Sequence, residues 1–410
     1  MTPMGAVVAG IPIPDVPDLL RMHGERHARL QVLMDQQGID GLVLLGSGAV
    51  SYATGAVAPG VDSGRGVLMR PVAVVVRGAP APHLFTPYPD GAPGDLPAEH
   101  LHGPVYPELD DGAASLLRSL SELLPIGAQL AFDDLTHALA RGLGAREPAD
   151  AGGVLGAARI CKTPDELACI RAAQRINELA MSEVQAQLRP GMRQTDLSGV
   201  FLARIFELGA TANAIDPIWQ VMPASLREGP WTTHGHIAFP TASTDRFLRL
   251  GDVVWVDSGI NYQGYASDFG RTWIVGAGPE LRPDARQQAQ FRRWNDVMTA
   301  TLERCKPGAT ALELGRAATA ANGGVKPWIE HFYLAHGVGT ESAEMPLVGT
   351  DLGDAFDERL VLQPGMVLVL EPVIWDDGAA GYRSEDIFAV TDDGWEPLSG
   401  HPYDPFEEPW

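Results

Sequence analysis

The chain has 410 residues, of which 52 are acidic and 30 are basic, and its formal net charge at pH 7 is −22. A surface with this excess repels nucleic-acid phosphates and anionic lipid headgroups, so we expect neither nucleic acid nor membrane as a partner. The length predicts two or three domains, and 45% hydrophobic residues with 20% charged residues are typical of a globular protein.

The sequence also indicates a compartment. It contains no apolar run of the about 18 residues that a membrane span needs, and residues 1–17 lack the basic start of a signal peptide. The three cysteines, Cys161, Cys169 and Cys305, are too few and too dispersed for a disulfide framework or a cysteine-based zinc site. We therefore expect a soluble cytoplasmic protein.

The N-terminal part alternates helical and strand patterns. Residues 1–18 are rich in proline and have no hydrophobic period, which predicts an extended arm. The proline-rich stretch Ala79–Pro107 predicts loops and edge structure, and the composition change at Pro148–Gly153 predicts a linker. The predicted elements are a helix over Arg21–Gln37, strands over Leu42–Leu45 and Val72–Val76, and a helix over Gly112–Leu124.

The next helix has a well-defined start. Thr163 suits the N-cap, Pro164 the first helical position and Glu166 the third, while Pro190–Gly191 ends the helical pattern. The rest of the chain mixes helices with strands that we expect to be antiparallel, so the predicted fold class is α+β. The predicted elements are strands over Asp252–Val256, Ala266–Val275, Met366–Ile374 and Ile387–Thr391, and helices over Asp284–Arg304 and Ala311–Ala321.

Carboxylates at strand ends carry the chemical signal, because the common hydrolase and nucleotide-binding motifs are absent from the sequence. A period of two places Val253, Trp255 and Asp257 on one strand face. A turn at Asn261–Gly264 then returns the chain and brings Asp268 beside Asp257. Two carboxylates this close repel each other unless a cation or a proton lies between them.

Two further strands show the same pattern. Glu371 ends one of them, and Glu385–Asp386 introduces the other, where only one of the two adjacent acids can face a shared site. With His336 they form the set of oxygen ligands plus one imidazole that Mn²⁺, Fe²⁺, Co²⁺ or Zn²⁺ accepts. Two metals can be held, and a hydroxide between them would be a nucleophile at neutral pH. The spacing alone leaves open that a strand-end aspartate such as Asp257 is only a cap or an ion-pair partner.

These segments together resemble the pita-bread metallopeptidase family, in its creatinase, prolidase and aminopeptidase P branch. The two aspartates are separated by ten residues, as in that family, and all five metal-ligand positions are filled. The resemblance covers nearly the whole chain. The matching segments are Val256–Gly259, Gly264–Trp273, Ala335–Gly339, Leu370–Pro372 and Arg383–Asp386 in the C-terminal part, and Arg26–Leu45, Val50–Gly55 and Lys162–Glu166 before it.

The resemblance implies a role for each of these residues. Asp257 would chelate one metal, Asp268 and Glu385 would bridge both, and His336 and Glu371 would bind the second. Glu371 would also move the proton. The cofactor would be two divalent ions per chain, with Mn²⁺ preferred over Co²⁺, Fe²⁺ or Zn²⁺.

The resemblance further implies a domain organisation. It consists of an N-terminal arm at residues 1–18, a creatinase/prolidase-like α/β domain at 19–153 and a pita-bread catalytic domain at 154–410. The N-terminal domain of this branch builds dimers, so a homodimer is implied.

Substrate recognition departs from the family pattern. The peptidases that the chain resembles carry a substrate-contacting histidine seven residues after the metal histidine, where this chain has Ala343. A lost oxyanion donor costs about 10²–10³ in rate, unless His234, His236 or His331 replaces it. An insertion around Pro240–Thr244 would align His236, or else His234, with the family's other substrate histidine.

Other residues have open roles in substrate recognition. Arg383 can hold a substrate carboxylate or form an ion pair with Asp386 or Asp268. Trp219 and Trp231 can line the pocket or belong to the core. We expect His236 as a catalytic residue and His234, His236 and Arg383 as substrate-binding residues.

The leading prediction is a dinuclear metal-dependent hydrolase that cleaves the Xaa-Pro bond of dipeptides or short peptides by means of a metal-bridging hydroxide. Ala343 supports an alternative, in which the same metal site acts on a small non-peptide substrate, as in ectoine hydrolases or dimethylsulfoniopropionate lyases. A metal-free enzyme like creatinase, or a binding module, is disfavoured because all the metal carboxylates are present.

Overall fold

The computed structural model describes residues 7–8, 11–12, 16–57, 68–222, 243–328, 332–376 and 380–406. The chain divides into two compact units, one of Pro17–Asp165 and the other of Glu166–Trp410 together with Met1–Val16. Before the first unit, in the predicted arm, Val7–Val8 (β1) pairs antiparallel with Ile11–Pro12 (β2). Among the described residues, no helix is both long enough and apolar enough to cross a membrane.

The N-terminal unit is built on a mixed six-stranded sheet in the order β6-β5-β4-β3-β7-β8. The central strand β3 is fully buried, runs parallel to β7 and is antiparallel to β4. The strands are β3 (Gly41–Leu44), β4 (Val72–Val76), β5 (His83–Phe85), β6 (Leu101–His102), β7 (Leu130–Phe132) and β8 (Ala149–Asp150). The helices are α1 (Leu19–Gln37), α2 (Ser47–Thr54), α3 (Asp110–Leu123), α4 (His137–Leu143) and α5 (Gly152–Arg159).

Helices cover both faces of this sheet. Leu42 packs with Leu30 of α1 in one hydrophobic cluster, whereas the next residue, Val43, packs with Leu116 of α3 in another. This alternation follows from the period of two in a strand. Helix α1 begins at the Asp18 cap and ends at Gly38, whose φ of 66° suits glycine. The predicted α/β character of this part is confirmed.

The linker predicted at Pro148–Gly153 is wrong. Residues Ala149–Asp150 form β8 beside β7, and α5 follows within the same unit. The Asp150 side chain accepts a hydrogen bond of 2.7 Å from the Gly152 amide, so a polar and glycine-rich sequence makes the turn into the helix. Val154 and Leu155 then anchor α5 in the core. The prediction followed composition and missed the turn that Asp150 stabilises.

The predicted α+β class of the C-terminal unit is confirmed, and its described strand pairs are all antiparallel. The helices that begin at the capping boxes of Asp284 and Thr310 lie close to their predicted bounds. The helices are α6 (Pro164–Gln187), α7 (Gln194–Glu207), α8 (Ala285–Leu302), α9 (Ala311–Ala321) and α10 (Asp354–Arg359).

Two sheets provide the frame for the site. One contains β11-β10-β12, with β9 also paired to β10, and the other has the order β14-β13-β15-β18-β19. A separate pair joins β16 and β17. The strands are β9 (Ala212–Val221), β10 (Val253–Tyr262), β11 (Tyr265–Ala266), β12 (Phe269–Ile274), β13 (Ala335–Gly337), β14 (Glu344–Val348), β15 (Val367–Leu370), β16 (Val373–Trp375), β17 (Gly381–Arg383), β18 (Asp386–Val390) and β19 (Trp395–Pro397).

Strand β10 has two differently packed faces, as its sequence predicted. Val254 and Val256 belong to the main core of the unit. Trp255 belongs to a second cluster with Met222 and Ala380. Because side chains alternate along a strand, Asp257 follows Trp255 onto the face away from the main core.

Two strands that we predicted as continuous are interrupted. The predicted strand over Ala266–Val275 breaks at Ser267–Asp268, and the one over Met366–Ile374 breaks at Glu371–Pro372. Pro372 has no amide hydrogen to donate to a sheet. The Ser267 hydroxyl receives 3.0 Å and 3.1 Å hydrogen bonds from Asn177 and from the Ile260 amide. Each break carries one of the predicted metal-binding carboxylates.

Candidate metal centre

Three buried carboxylates from separate segments of the C-terminal unit converge. Asp257 lies in β10, Asp268 in the break between β11 and β12, and Glu385 just before β18. One oxygen of each lies within 4.8 Å of an oxygen of the other two. This grouping agrees with the predicted hairpin, in which the chain returns after Asp257 and brings Asp268 beside it.

Sheet register explains why Glu385 joins the pair. Asp257 of β10 lies opposite Gly270 of β12, and the Glu385 amide donates a 3.1 Å hydrogen bond to the Gly270 carbonyl. A Cβ atom at position 270 would lie 2.6 Å from the carboxyl carbon of Glu385. Gly270 therefore leaves the space that the Glu385 carboxylate occupies.

His336 and Glu371 lie beside this cluster. His336 in β13 lies opposite Val369 in β15, and the Glu371 amide donates to the Leu334 carbonyl at 3.0 Å. The His336 Nε2 atom is 3.3 Å from an Asp268 oxygen and 3.4 Å from a Glu371 oxygen. Its Nδ1 atom lies 2.9 Å from the Gly337 carbonyl, which fixes the ring with Nε2 toward the acids.

Arg383 brings a guanidinium into this centre. Its guanidinium donates to Glu371 and lies 3.6 Å from a Glu385 oxygen and 4.0 Å from an Asp257 oxygen. It also stacks over the Trp255 ring at 3.8 Å from the ring centroid. The alternative partners that we predicted for Arg383, Asp386 and Asp268, are wrong, because β17 directs its side chain to the other three acids.

Asp386 faces away from the carboxylate cluster. It forms a buried 2.9 Å ion pair with Arg271 and accepts a 2.8 Å hydrogen bond from Ser399. Adjacent residues at the start of β18 point in opposite directions. The prediction that only one acid of the Glu385–Asp386 pair can face the shared site is confirmed.

The acids of the centre repel each other in the absence of cations. Burial raises the pKa of Asp257 well above its usual range, and the charge of Asp268 raises it further. Burial, followed by the charges of Asp257 and Asp268, does the same to the pKa of Glu385. Burial also raises the pKa of Glu371, although Arg383 opposes that rise.

His336 shows the complementary effect. Burial by itself lowers its pKa, but the hydrogen bond with Asp268 and the charges of Glu371 and Asp268 outweigh burial and raise the pKa to about 9. The site thus favours a positive charge at the position of the imidazole. A metal ion bound there would supply that charge in place of the proton.

The residues present fit divalent metal ions. Within the described part of the chain, the buried atoms Asp257 Oδ1 and Glu385 Oε1 have no hydrogen-bond partner. Buried carboxylate oxygens without partners are costly unless they coordinate a cation. Four carboxylates and one imidazole form a donor set that first-row divalent ions accept. This disposition makes the cluster a candidate metal centre.

An aromatic pair that we did not predict borders the centre. The rings of Phe332 and Tyr333 stack at 4.0 Å. The Tyr333 ring lies 5.0 Å from the His336 ring, and the Arg383 guanidinium lies 5.8 Å from the Phe332 ring centroid. Burial and the charge of Glu371 raise the pKa of Tyr333, so its hydroxyl keeps its proton. The sequence signal that could have predicted this pair was its position, three and four residues before His336.

The remaining predicted residues have different outcomes. His234, His236, Trp231 and His331 lie outside the described residues. Trp219 belongs to the main core, where its indole donates to Ser198 at 2.8 Å. Ala343 is exposed in the link before β14.

Two parts of the chain match known families. Residues 168–392 match Metallopeptidase family M24, and residues 26–161 match the Creatinase/Prolidase N-terminal domain. The probable dipeptidase PepE of Mycobacterium tuberculosis is 29% identical over 384 residues, which cover 92% of each protein. The Xaa-Pro dipeptidase of Pyrococcus horikoshii is 30% identical over 243 residues, 59% of this chain and 63% of that protein.

Solved structures share the fold along nearly the whole chain. The prolidase from Pyrococcus horikoshii has a TM-score of 0.71 at 23% identity and covers 93% of this chain and 99% of its own. The dipeptidase PepE from Mycobacterium ulcerans has a TM-score of 0.70 at 24% identity, with 94% and 98% covered. The family match spans more than half of the chain. The chain therefore belongs to metallopeptidase family M24, the pita-bread family that its motifs resemble, and carries a creatinase/prolidase N-terminal domain.

Proposed function

We propose that this protein is a dinuclear metal-dependent peptidase that cleaves the Xaa-Pro bond of dipeptides or short peptides. The observation that carries the proposal is the buried convergence of Asp257, Asp268 and Glu385, with His336 and Glu371 beside them. The family is metal-dependent, and its matched relatives support a hydrolase. The Xaa-Pro preference is drawn from the names of relatives such as the Pyrococcus dipeptidase.

The carboxylates divide the work in this proposal. Asp257, Asp268 and Glu385 would hold the ions together with His336 and Glu371. When bound, two divalent cations polarise the scissile carbonyl and acidify the attacking water. Asp257 and Glu371 would have different tasks. Asp257 would balance the positive charge of the bound cations, and Glu371 would move a proton.

Glu371 suits proton transfer because of its surroundings. Burial raises its pKa, while the Arg383 guanidinium holds one of its oxygens. The other oxygen, Oε1, lies 3.4 Å from the His336 ring. A carboxylate with a raised pKa can take a proton from water and return it to the leaving amine.

Metal analysis and a peptide panel test the proposal together. Protein purified without chelator should contain close to two first-row ions per chain and, with added Mn²⁺, should cleave Xaa-Pro dipeptides faster than matched Xaa-Ala dipeptides. Glu385→Gln should lose both metal and activity, whereas Glu207→Gln, an exposed acid in a surface pair with Arg204, should retain both. A metal-free protein with full activity would refute the metal centre. Equal rates on both peptide series would refute the Xaa-Pro preference.

Ala343 favours a second candidate with the same metal centre. The peptidases that the chain resembles carry a histidine there, and the alanine cannot donate a hydrogen bond to an oxyanion. The alternative is hydrolysis of a C–N bond, or elimination, in a small non-peptide substrate. No turnover across the peptide panel by a protein that holds two metals would favour this alternative.

We further propose Mn²⁺ as the metal, a homodimer as the assembly and the cytoplasm as the compartment. The three cysteines are too few and too dispersed for a disulfide framework, which suits a reducing compartment. Light scattering on the purified protein measures the assembly, and activity after reconstitution with Mn²⁺, Co²⁺, Fe²⁺ or Zn²⁺ identifies the metal.

A further inference from the structure

A buried arginine connects the metal centre with the C-terminal segment Ser399–Tyr403. Arg271 in β12 is 1% exposed. Its Nη1 atom donates to the Gly270 carbonyl at 2.8 Å and to the Glu385 carbonyl at 2.6 Å. The guanidinium thus fixes the backbone of Glu385 against the strand that follows Asp268.

The C-terminal segment holds this arginine from the other side. Arg271 Nη2 donates to the His401 carbonyl at 2.8 Å, and Nε donates to the Pro402 carbonyl at 3.4 Å. The guanidinium carbon lies 4.4 Å from the centroid of the Tyr403 ring. Three consecutive residues of the segment therefore contact the cation that fixes Glu385.

Tyr403 also contacts the acid that balances this cation. Its hydroxyl donates to one carboxylate oxygen of Asp386, while Ser399 donates to the other at 2.8 Å. The same oxygen that Ser399 contacts also accepts the 2.9 Å bond from Arg271. Asp386 is adjacent to Glu385, so its orientation sets the direction in which β18 begins.

We propose that Tyr403 is a positioning residue for Glu385, which it orients through Asp386 and Arg271 without contacting metal or substrate. This inference rests on the proposed metal centre. Removing a side chain that positions a metal ligand commonly changes the metal affinity by about 10–100-fold. Loss of the Tyr403 hydroxyl leaves one Asp386 oxygen without its donor and loosens the contact that aims Glu385 into the cluster.

The test is titration of the metal-free protein with MnCl₂ by calorimetry. Tyr403→Phe should bind Mn²⁺ about 10-fold or more weakly than the wild type, and Ser399→Ala should also bind more weakly. Tyr52→Phe is the matched control, because it removes a buried hydroxyl that donates to the Ala158 carbonyl in the N-terminal unit. The control should bind Mn²⁺ as the wild type does. The metal-free forms of the two tyrosine variants should lose similar thermal stability.

A second readout reports coordination directly. The visible absorption of bound Co²⁺ should differ between Tyr403→Phe and the wild type, and should not change in Tyr52→Phe. Mn²⁺ affinity of Tyr403→Phe within twofold of the wild type, with an unchanged Co²⁺ spectrum, would overturn the positioning role. If Glu385→Gln still loses metal in that case, the proposed function survives. If the wild type itself binds no metal, the metal centre and the positioning role both fail.

Discussion

Glu385 and Asp386 are adjacent in sequence, yet they belong to different charge systems. Glu385 lies in the carboxylate cluster with Asp257 and Asp268, whereas Asp386 pairs with Arg271 at 2.9 Å. Both acids are buried. Asp386 has Arg271 as its own protein cation, whereas Glu385 shares the Arg383 guanidinium with Asp257 and Glu371.

Replacing each of these two acids by its amide should therefore change the stability of the metal-free protein differently. Glu385→Gln removes one of several mutually repelling charges, so we expect unchanged or higher thermal stability together with lost metal binding. Asp386→Asn leaves Arg271 buried and less well paired, so we expect a loss of about 3 kcal/mol in unfolding free energy. Chemical denaturation of both chelator-treated variants checks this. Equal destabilisation would contradict the assignment of the two acids to different systems.

Metal addition should stabilise the C-terminal unit. The pKa values of Asp257 and Glu385 are raised first by burial and then by neighbouring acids, which indicates that these groups destabilise the metal-free fold when ionised. An ion that binds only the folded state stabilises it by about 2.7 kcal/mol at 100 times its dissociation constant. Differential scanning calorimetry with Mn²⁺ and with chelator measures the effect. Identical unfolding temperatures in the two conditions would contradict it.

The sequence predicted those elements whose signals are local. Helix α9 begins and ends at the predicted residues, because a capping box at Thr310 marks its start. Hydrophobic alternation predicted the face of Asp257, whereas the full set of site acids was predicted from the resemblance to the family. Helix α2 was missed, because Gly46, Ser47 and Gly48 are typical of a turn, although Gly46 serves here as an N-cap.

The sequence could not predict which groups Arg383 and Arg271 contact. Both arginines face several carboxylates and carbonyls in the fold, and sequence separation does not tell which acid lies nearest. Arg271 contacts the carbonyls of His401 and Pro402, about 130 residues away in the chain. Such partners follow from how β12, β18 and the C-terminal segment pack, which no local pattern encodes.

Arg383 should act on turnover more than on substrate affinity. We predicted it as a substrate-binding residue, but its guanidinium is buried, stacks on Trp255 and donates to Glu371. Lysine cannot reproduce this planar contact. We expect Arg383→Lys to lower kcat by about 10–100-fold with a smaller change in KM. Steady-state kinetics measures both constants. A rise in KM at constant kcat would instead support direct contact between Arg383 and a substrate carboxylate.

Three histidines form a separate group at the edge of the N-terminal sheet. The rings of His83 and His100 stack at 4.0 Å, and His83 Nδ1 lies 3.0 Å from His102 Nε2. The His102 ring stacks in turn on Phe85 at 4.4 Å. Burial, together with the smaller effects of the charges of His100 and His102, lowers the pKa of His83 to about 4.

This group should make the N-terminal unit sensitive to mild acid. The pKa of His83 in the folded state is below its unfolded value of 6.5, so the unfolded chain binds more protons between these values and stability falls as pH drops from 6.5 toward 4. His83→Gln should lose less stability than the wild type between about pH 7.5 and about pH 5. The control is His137→Gln, an exposed histidine of the same unit. Urea unfolding at both pH values measures the difference, and parallel losses in wild type and His83→Gln would show that His83 does not titrate with unfolding.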